Sequence, residues 1–184
     1  MTKRVLVPIA DGTEELEAVA IIDTLRRAGV DVTVASVGKL QVTASRGVKI
    51  VADATISECV GKTYDLIVLP GGMQGAEHLR DNAALTTMLQ EQKRSARLYA
   101  AICAAPAVVL EHHGLLKNVR ATCYPSLQDR LDKKYLSNDR IVVDGNCITG
   151  QGPGVAVEFA LKLVEQLFGL QKKNEVAAGM LVKV

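Results

Sequence analysis

Aromatic residues are scarce in this chain, which has no tryptophan, two phenylalanines and four tyrosines among 184 residues. Proteins that bind single-stranded nucleic acid stack bases on such rings and follow the phosphates with basic side chains. Lysine and arginine total 22 against 20 aspartate and glutamate residues, and the basic positions are scattered along the sequence. We therefore expect no nucleic-acid partner.

Long apolar runs are also missing. No stretch approaches the roughly 18 residues that span a membrane, and the first apolar segment is too short for a signal-peptide core. The four cysteines, at positions 59, 103, 123 and 147, form no CxxC pair and have no histidine at zinc-binding spacing. These absences predict reduced thiols, a cytoplasmic location, no membrane partner and no metal.

Apolar periodicity alternates between the strand and helix patterns, and no linker or repeat divides the chain. Such alternation predicts one α/β domain over residues 1–184, with a mostly parallel sheet covered by helices on both faces. Predicted strands cover 3–10, 30–35, 65–69, 98–102 and 119–123, with hairpins at 41–51 and 141–149. Predicted helices cover 14–28, 76–94, 104–113, 155–168 and 171–181.

The junction between the predicted strand 98–102 and the helix after it carries Cys103, with small residues on both sides. A sharp strand-to-helix turn of this kind lifts a nucleophile out at the top of a sheet. Free N–H groups at the helix start would stabilise a thiolate, which is the reactive form of cysteine. The alternative is that Cys103 is a small buried apolar residue, as free cysteines often are.

A glycine-rich loop, LPGGMQG at 69–75, follows the neighbouring strand. The backbone N–H groups of Gly72 and Ala104 could together bind an oxyanion that develops on a substrate carbonyl. The alternative is a plain turn in which glycine supplies a positive φ. The loop is not a phosphate-binding loop, because the lysine and hydroxyl residue of that motif are absent.

The predicted helix 14–28 begins with Glu14, Glu15 and Glu17. Carboxylates in a first turn suit the helix dipole, so a solvated acidic start explains Glu14 and Glu15. Glu17 lies beside the apolar stripe and could face the top of the sheet. A desolvated carboxyl there would have a raised pKa and could hold a proton near neutrality, although a solvated position is equally compatible with the sequence.

These segments together resemble the DJ-one branch of the ThiJ/PfpI superfamily over residues 3–182. The marks are GTEELEAV at 12–19, ASRGV at 44–48, DLIVLPGGMQGA at 65–76, AAICAAPAVVL at 100–110 and the GPG loop before EFALKLVE. The resemblance implies a flavodoxin-like three-layer sandwich, similar to class I glutamine amidotransferases, and a homodimer. It also implies that Cys103 is the reactive cysteine, Glu17 its protonated partner, and Gly72 with Ala104 the oxyanion site.

One position departs from that family pattern. Many members have a histidine near the thiol where this chain has Tyr124, and the protease-like relatives have histidine where this chain has Ala104. His112 and His113 lie nine and ten residues beyond Cys103 on the same predicted helix, and His78 is expected on a solvated face. A Cys–His–Asp hydrolase is therefore disfavoured, and Tyr124 becomes a possible substrate contact.

Two functions remain open from the sequence. The resemblance implies a glyoxalase or deglycase that needs no cofactor, in which the Cys103 thiolate adds to a small 2-oxoaldehyde and Glu17 moves the proton. The alternative is a redox-sensing or chaperone-like protein whose Cys103 oxidises to sulfinic acid without turnover. We also expect a homodimer, because 41–51 and the first helix present more apolar residues than one sheet face needs.

Overall fold

The apolar runs form one seven-stranded sheet in the computed structural model, which describes residues 2–183. The strand order is β5-β2-β1-β6-β7-β9-β8, and every neighbouring pair is parallel except β8 with β9. The sheet strands are β1 Arg4–Ile9, β2 Asp31–Ser36, β5 Ala54–Thr55, β6 Leu66–Leu69, β7 Leu98–Ile102, β8 Ile141–Asp144 and β9 Cys147–Gly150. The predicted mostly parallel, flavodoxin-like sheet is confirmed.

Helices pack in two groups on the faces of this sheet. The helices are α1 Glu15–Arg27, α2 Met73–Arg80, α3 Ala83–Arg94, α4 Ala156–Phe168 and α5 Leu170–Gly179. Helix α4 packs between α1 and α5, whereas α2 contacts α3. The helical segment predicted over 76–94 is therefore confirmed as helical, but it consists of two helices. The chain breaks at Asp81 and Asn82, where the Asn82 side chain accepts a hydrogen bond from the Leu85 N–H (2.9 Å) and caps α3.

Two other predicted elements differ from the structure. Residues 104–113 do not form an α-helix, because Pro106–Glu111 adopts a π-helix after the turn at Cys103. Residues 119–123 form no strand and contribute one isolated bridge, between Ala121 and Leu136. The β-branched and small residues there are apolar enough to suggest a strand, but they are buried as a loop.

The predicted hairpin at 41–51 is confirmed and stands apart from the main sheet. Its strands, β3 Gln41–Thr43 and β4 Lys49–Val51, pair only with each other in an antiparallel sheet of two strands. The second predicted hairpin, β8–β9, turns at Gly145, whose φ of 56° suits the tight two-residue connection.

The strand order determines which loops meet at the functional edge. Strands β1, β6 and β7 are adjacent and parallel, so their carboxyl ends lie side by side. The loop after β1 leads into α1, the loop after β6 contains Gly71 and Gly72, and β7 ends one residue before Cys103. In such sheets, ligands bind beyond the carboxyl ends where the strand order reverses, and here that point lies between β1 and β6.

Candidate active site

Cys103 occupies a strained turn directly after β7. Its φ of 65° lies in the left-handed region, which a residue with a side chain rarely adopts. The turn is fixed from both sides, because the Cys103 N–H donates to the Gly150 carbonyl (2.9 Å) and its carbonyl accepts from the Tyr124 N–H (2.8 Å). The geometry is that of a nucleophile elbow, in which surrounding hydrogen bonds hold an otherwise unfavourable backbone.

Glu17 points inward from the first turn of α1 and has no exposed surface. Its Oε2 accepts a hydrogen bond from the Gly71 N–H (2.7 Å), and its Oε1 has no partner within residues 2–183. Burial, opposed by the Gly71 bond and assisted by the charge of Glu14, raises the pKa of Glu17 to about 7. A half-satisfied buried carboxyl is far less costly as the neutral acid than as the ion.

Gly71 packs against both Glu17 and Cys103, and only glycine fits at this position. A Cβ at this position would lie 2.6 Å from the Cys103 Cβ, 2.7 Å from the Glu17 Oε2 and 3.0 Å from the Ile102 carbonyl oxygen. The absence of a side chain lets the carboxyl and the thiol come into contact. The PGG motif therefore has a steric purpose here in addition to forming a turn.

The Glu17 carboxyl and the Cys103 thiol titrate as a pair. While Glu17 is ionised, burial and its negative charge raise the pKa of Cys103 to about 12, although the Gly72 and Ala104 N–H groups act in the opposite direction. The expectation that a helix start alone lowers the thiol pKa is therefore wrong. Protonating Glu17 removes the repulsion and adds a third donor beside the sulfur. A thiolate at this site therefore requires a protonated Glu17.

Gly72 and Ala104 both direct backbone N–H groups at the Cys103 sulfur. Gly72 has a φ of 84° as it enters α2, and Ala104 follows the elbow directly. Fixed donors converging on a nucleophile can also bind an oxygen atom once that nucleophile has added to a carbonyl. The structure thus brings together the two amides that the sequence analysis selected.

A cleft of about 500 Å³ opens above Cys103. Met73 and Gln74 of α2 line one side, and Tyr124 lines another. Tyr124 is 44% exposed, so its hydroxyl is available to a ligand. A larger cleft of about 970 Å³ lies between α4 and the start of β8, but its lining includes no cysteine or histidine, so size alone does not identify the reactive site.

The histidines do not complete a Cys–His pair. A ring nitrogen of His78 hydrogen-bonds the Asp11 carbonyl (2.9 Å), and one of His113 hydrogen-bonds the Arg80 carbonyl (2.9 Å). None of the three histidines lines the cleft above Cys103. Within residues 2–183, no group of three or more potential metal-ligating side chains is present, and no helix is long and apolar enough to cross a membrane.

Glu15 was predicted to be a solvated helix-start charge, and this is wrong. It is only 9% exposed, and both carboxylate oxygens are bound by the turn of the β3–β4 hairpin, through the Ser45 hydroxyl and the Arg46 N–H. Ser45 and Arg46 line the cleft. The sequence shows a polar ASRG turn but not that the turn folds over α1. Glu14, by contrast, caps α1 by accepting from the Glu17 N–H (2.8 Å).

Comparison with known proteins agrees with this geometry. The sequence model of the DJ-1/PfpI family matches residues 3–166. The chain belongs to this family. The structure is similar to that of oxidised Toxoplasma gondii DJ-1, with a TM-score of 0.98 and 48% identity over 100% of both chains.

Two relatives among the curated proteins differ in how much of their own length this chain covers. Protein DJ-1 homolog B of Arabidopsis thaliana is 50% identical over 98% of this chain, but the chain spans only 42% of that protein. A Caenorhabditis elegans relative named glutathione-independent glyoxalase DJR-1.2 is 38% identical, over 92% of this chain and 90% of that protein. The family is thereby established, and the activity of this chain has to be argued from its own site.

Proposed function

We propose that this protein is a cofactor-independent glyoxalase that converts methylglyoxal, or adducts formed from it, to lactate through Cys103. The observation that carries the proposal is the contact between a buried carboxyl, whose pKa is raised to about 7, and a thiol that faces two converging amides. Such a site supplies a nucleophile, a proton carrier with a pKa near 7 and an oxyanion site. The name of the C. elegans relative supports the same activity class.

The first step is addition. The Cys103 thiolate attacks the aldehyde carbon and forms the C–S bond of a hemithioacetal, while the Gly72 and Ala104 amides stabilise the alkoxide. Glu17 then gives its proton to that oxygen and becomes a carboxylate. Tyr124, which lines the cleft, can donate a hydrogen bond to the ketone oxygen of the substrate.

The second step moves hydrogen between the two carbons. The Glu17 carboxylate removes the proton from the former aldehyde carbon, giving an enediolate, and returns it to the neighbouring carbon. The hydroxyl proton shifts to the second oxygen, which leaves a lactoyl thioester on Cys103. Water hydrolyses the thioester, restores the thiolate and neutral Glu17, and releases lactate and one proton. Overall, methylglyoxal and water give lactate and a proton, so neither an oxidant nor a metal is needed.

The direct test is lactate production by purified protein. Wild type should convert methylglyoxal, and Cys103→Ala should abolish conversion while the circular dichroism spectrum stays unchanged. Cys123→Ala is the matched control, because Cys123 is fully buried and does not line the cleft. Equal loss of turnover in both variants, or activity retained by Cys103→Ala, would refute the assignment.

A redox-sensing or chaperone-like function is the second candidate, and the same site supports it. Oxidation of Cys103 to sulfinic acid by peroxide would place new oxygens beside the Gly72 and Ala104 amides and the Glu17 proton. The similar structure of T. gondii DJ-1 is that of an oxidised protein, which supports considering oxidation here. Peroxide-dependent formation of the sulfinic acid in a wild-type protein that turns over no methylglyoxal would favour this candidate.

We further propose a cytoplasmic homodimer. All four cysteines are free thiols, as expected in a reducing compartment. Large apolar side chains are exposed on α1 and around the β3–β4 hairpin, namely Leu16, Val19, Leu40, Val48 and Val51, and each is at least 46% exposed. Exposed apolar side chains of this kind favour association, and a two-fold pairing is the usual outcome.

A further inference from the structure

The β3–β4 hairpin forms a wall of the cleft although it is outside the main sheet. Its turn is closed by the Ala44 N–H to Val48 carbonyl bond (2.8 Å) and the Gly47 N–H to Ala44 carbonyl bond (3.0 Å). Ser45 and Arg46, at the tip of this turn, line the cleft that contains Cys103. Since no strand of the seven-stranded sheet pairs with the hairpin, other contacts must fix this wall.

Backbone bonds attach the base of the hairpin to the loop after β1. The Gly12 N–H donates to the Thr43 carbonyl (2.8 Å), and the Thr43 N–H donates to the Asp11 Oδ1 (2.7 Å). Nearer the tip, the Ser45 N–H donates to the Thr13 carbonyl (2.8 Å). These bonds set the direction of the hairpin, but they leave the Arg46 backbone and the Ser45 side chain to be held by another group.

Glu15 is that group. Its Oε2 accepts from the Ser45 hydroxyl (2.8 Å) and its Oε1 accepts from the Arg46 N–H (2.8 Å). Burial acts to raise the pKa of Glu15, but hydrogen bonds from its own backbone, Ser45, Arg46 and Val48 outweigh burial and lower it. The side chain therefore stays ionised at neutral pH, and charge-assisted hydrogen bonds of this kind are stronger than neutral ones.

We propose that Glu15 is a positioning residue that fixes the Ser45–Arg46 wall of the cleft and thereby sets the affinity for the non-reacting part of the substrate. The inference rests on the proposed function. Glu15 and Glu17 lie two residues apart on α1, so their side chains point in different directions. Glu17 reaches the thiol, whereas Glu15 reaches the wall that faces it. The first turn of α1 thus separates substrate binding from proton transfer.

The informative substitution is Glu15→Gln, which keeps the size of the side chain. A glutamine has one acceptor atom where Glu15 uses two, and its NH₂ group cannot accept from the Arg46 N–H or the Ser45 hydroxyl. The Ser45 hydroxyl can reverse and accept instead, so the fold has a way to persist while the charge-assisted bonds are lost. Ser45→Ala removes only one of the two bonds and should have a smaller effect in the same direction.

The experiment compares initial rates with methylglyoxal and with tert-butylglyoxal, whose bulk extends further from the reacting carbon. For Glu15→Gln we expect the KM of tert-butylglyoxal to rise about tenfold, or about 1.4 kcal/mol of binding free energy. We expect kcat and the rate of Cys103 alkylation by iodoacetamide to stay within about twofold. Hydrogen exchange at the Arg46 amide should accelerate, and exchange at the Gly71 amide should not. Glu175→Gln, an exposed change on α5, should alter none of these.

The outcomes separate this inference from the proposed function. If wild type turns over no oxoaldehyde, affinity is measured as protection of Cys103 from iodoacetamide by tert-butylglyoxal, and Glu15→Gln should weaken that protection by the same factor. An unchanged KM or protection constant with faster Arg46 exchange would show a purely structural role. A fall in kcat together with Cys103 alkylation would show that Glu15 acts on the chemistry. Either result overturns the proposal. Ser45→Ala provides the same comparison should Glu15→Gln fail to fold.

Discussion

The buried Glu17 carboxyl should make folding stability depend on pH in a way that one substitution removes. Its pKa is about 7 in the folded protein against an ordinary value of 4.5. That difference corresponds to about 3 kcal/mol, at about 1.4 kcal/mol per pH unit. Cys103→Ala is the cleanest background, because Glu17 then titrates without the thiol and keeps the burial that raises its pKa.

The sign follows from which state holds the proton. Between about pH 4.5 and 7 the unfolded chain has lost the Glu17 proton while the folded chain keeps it. The stabilisation is complete below the lower pH and is lost as the pH rises through the higher one. The free energy of unfolding of Cys103→Ala, relative to Cys103→Ala with Glu17→Gln, should therefore fall by about 3 kcal/mol across this window.

Urea unfolding followed by far-ultraviolet circular dichroism measures this difference, since the chain has no tryptophan to report by fluorescence. Glu15→Gln in the same background is the control, because its effect on the free energy of unfolding should change with pH in the opposite direction. The pKa of Glu15 is lowered, so its contribution is present at neutral pH and is lost as the pH falls below the ordinary glutamate range. The burial argument would be refuted if the difference in the free energy of unfolding between Cys103→Ala and Cys103→Ala with Glu17→Gln stays constant within about 0.5 kcal/mol from pH 4.5 to 8.

Three further predictions concern the thiol, the glycine and the dimer. Brief iodoacetamide treatment of native protein should label Cys103 well before the other three cysteines. Cys103 is 9% exposed at the cleft, whereas Cys59, Cys123 and Cys147 are each at most 1% exposed. Peptide mass spectrometry that finds two cysteines equally labelled would contradict the elbow assignment. Gly71→Ala should reduce turnover at least about 100-fold and destabilise the fold by about 1–3 kcal/mol, because the added Cβ would clash with Glu17 and Cys103. Near-normal kinetics of this variant would refute the steric argument. Light scattering should give about twice 19.7 kDa. Val51→Glu should weaken the dimer, while Leu181→Glu, at an even more exposed apolar position, should not. A wild-type monomer at micromolar concentration would refute the proposed dimer.

The sequence predicts the sheet and the elbow because both depend on local patterns. A continuous apolar run followed by small residues specifies β7 and the turn at Cys103, and the glycines after β6 indicate a close approach. The role of Glu17 stayed open because its position beside an apolar stripe does not show what lies opposite. The environment of Glu15 was missed for a related reason, since its partners at 45 and 46 are thirty residues away and lie in a hairpin outside the main sheet.

The remaining errors have a common physical origin. The π-helix at Pro106–Glu111 and the loop at 119–123 both consist of residues whose apolar pattern fits a regular element, and both are fixed by tertiary contacts. The Thr122 N–H donates to the Thr149 Oγ1 (3.0 Å), and the Tyr124 N–H donates to the Cys103 carbonyl (2.8 Å), so this segment pairs with the elbow and with β9 instead of extending as a strand. These contacts place Tyr124 in the cleft.

The same unfolding measurements can decide whether the wild-type pair is already an anion before Glu17 titrates on its own. If the charge lies on the sulfur, the folded protein holds one proton on Glu17, and the unfolded chain holds one proton on Cys103. Between about pH 5 and 8 the two states then bind equal numbers of protons, so this pair adds no slope to the stability of wild type. If the thiol instead stays neutral, the folded pair holds two protons until Glu17 loses its own near pH 7, whereas the unfolded chain holds one, so wild type should lose about 3 kcal/mol as Cys103→Ala does. The proposed reaction starts from a thiolate beside a protonated Glu17, so we expect the flat profile, and a wild-type slope equal to that of Cys103→Ala would show that the thiolate is not formed before substrate binds.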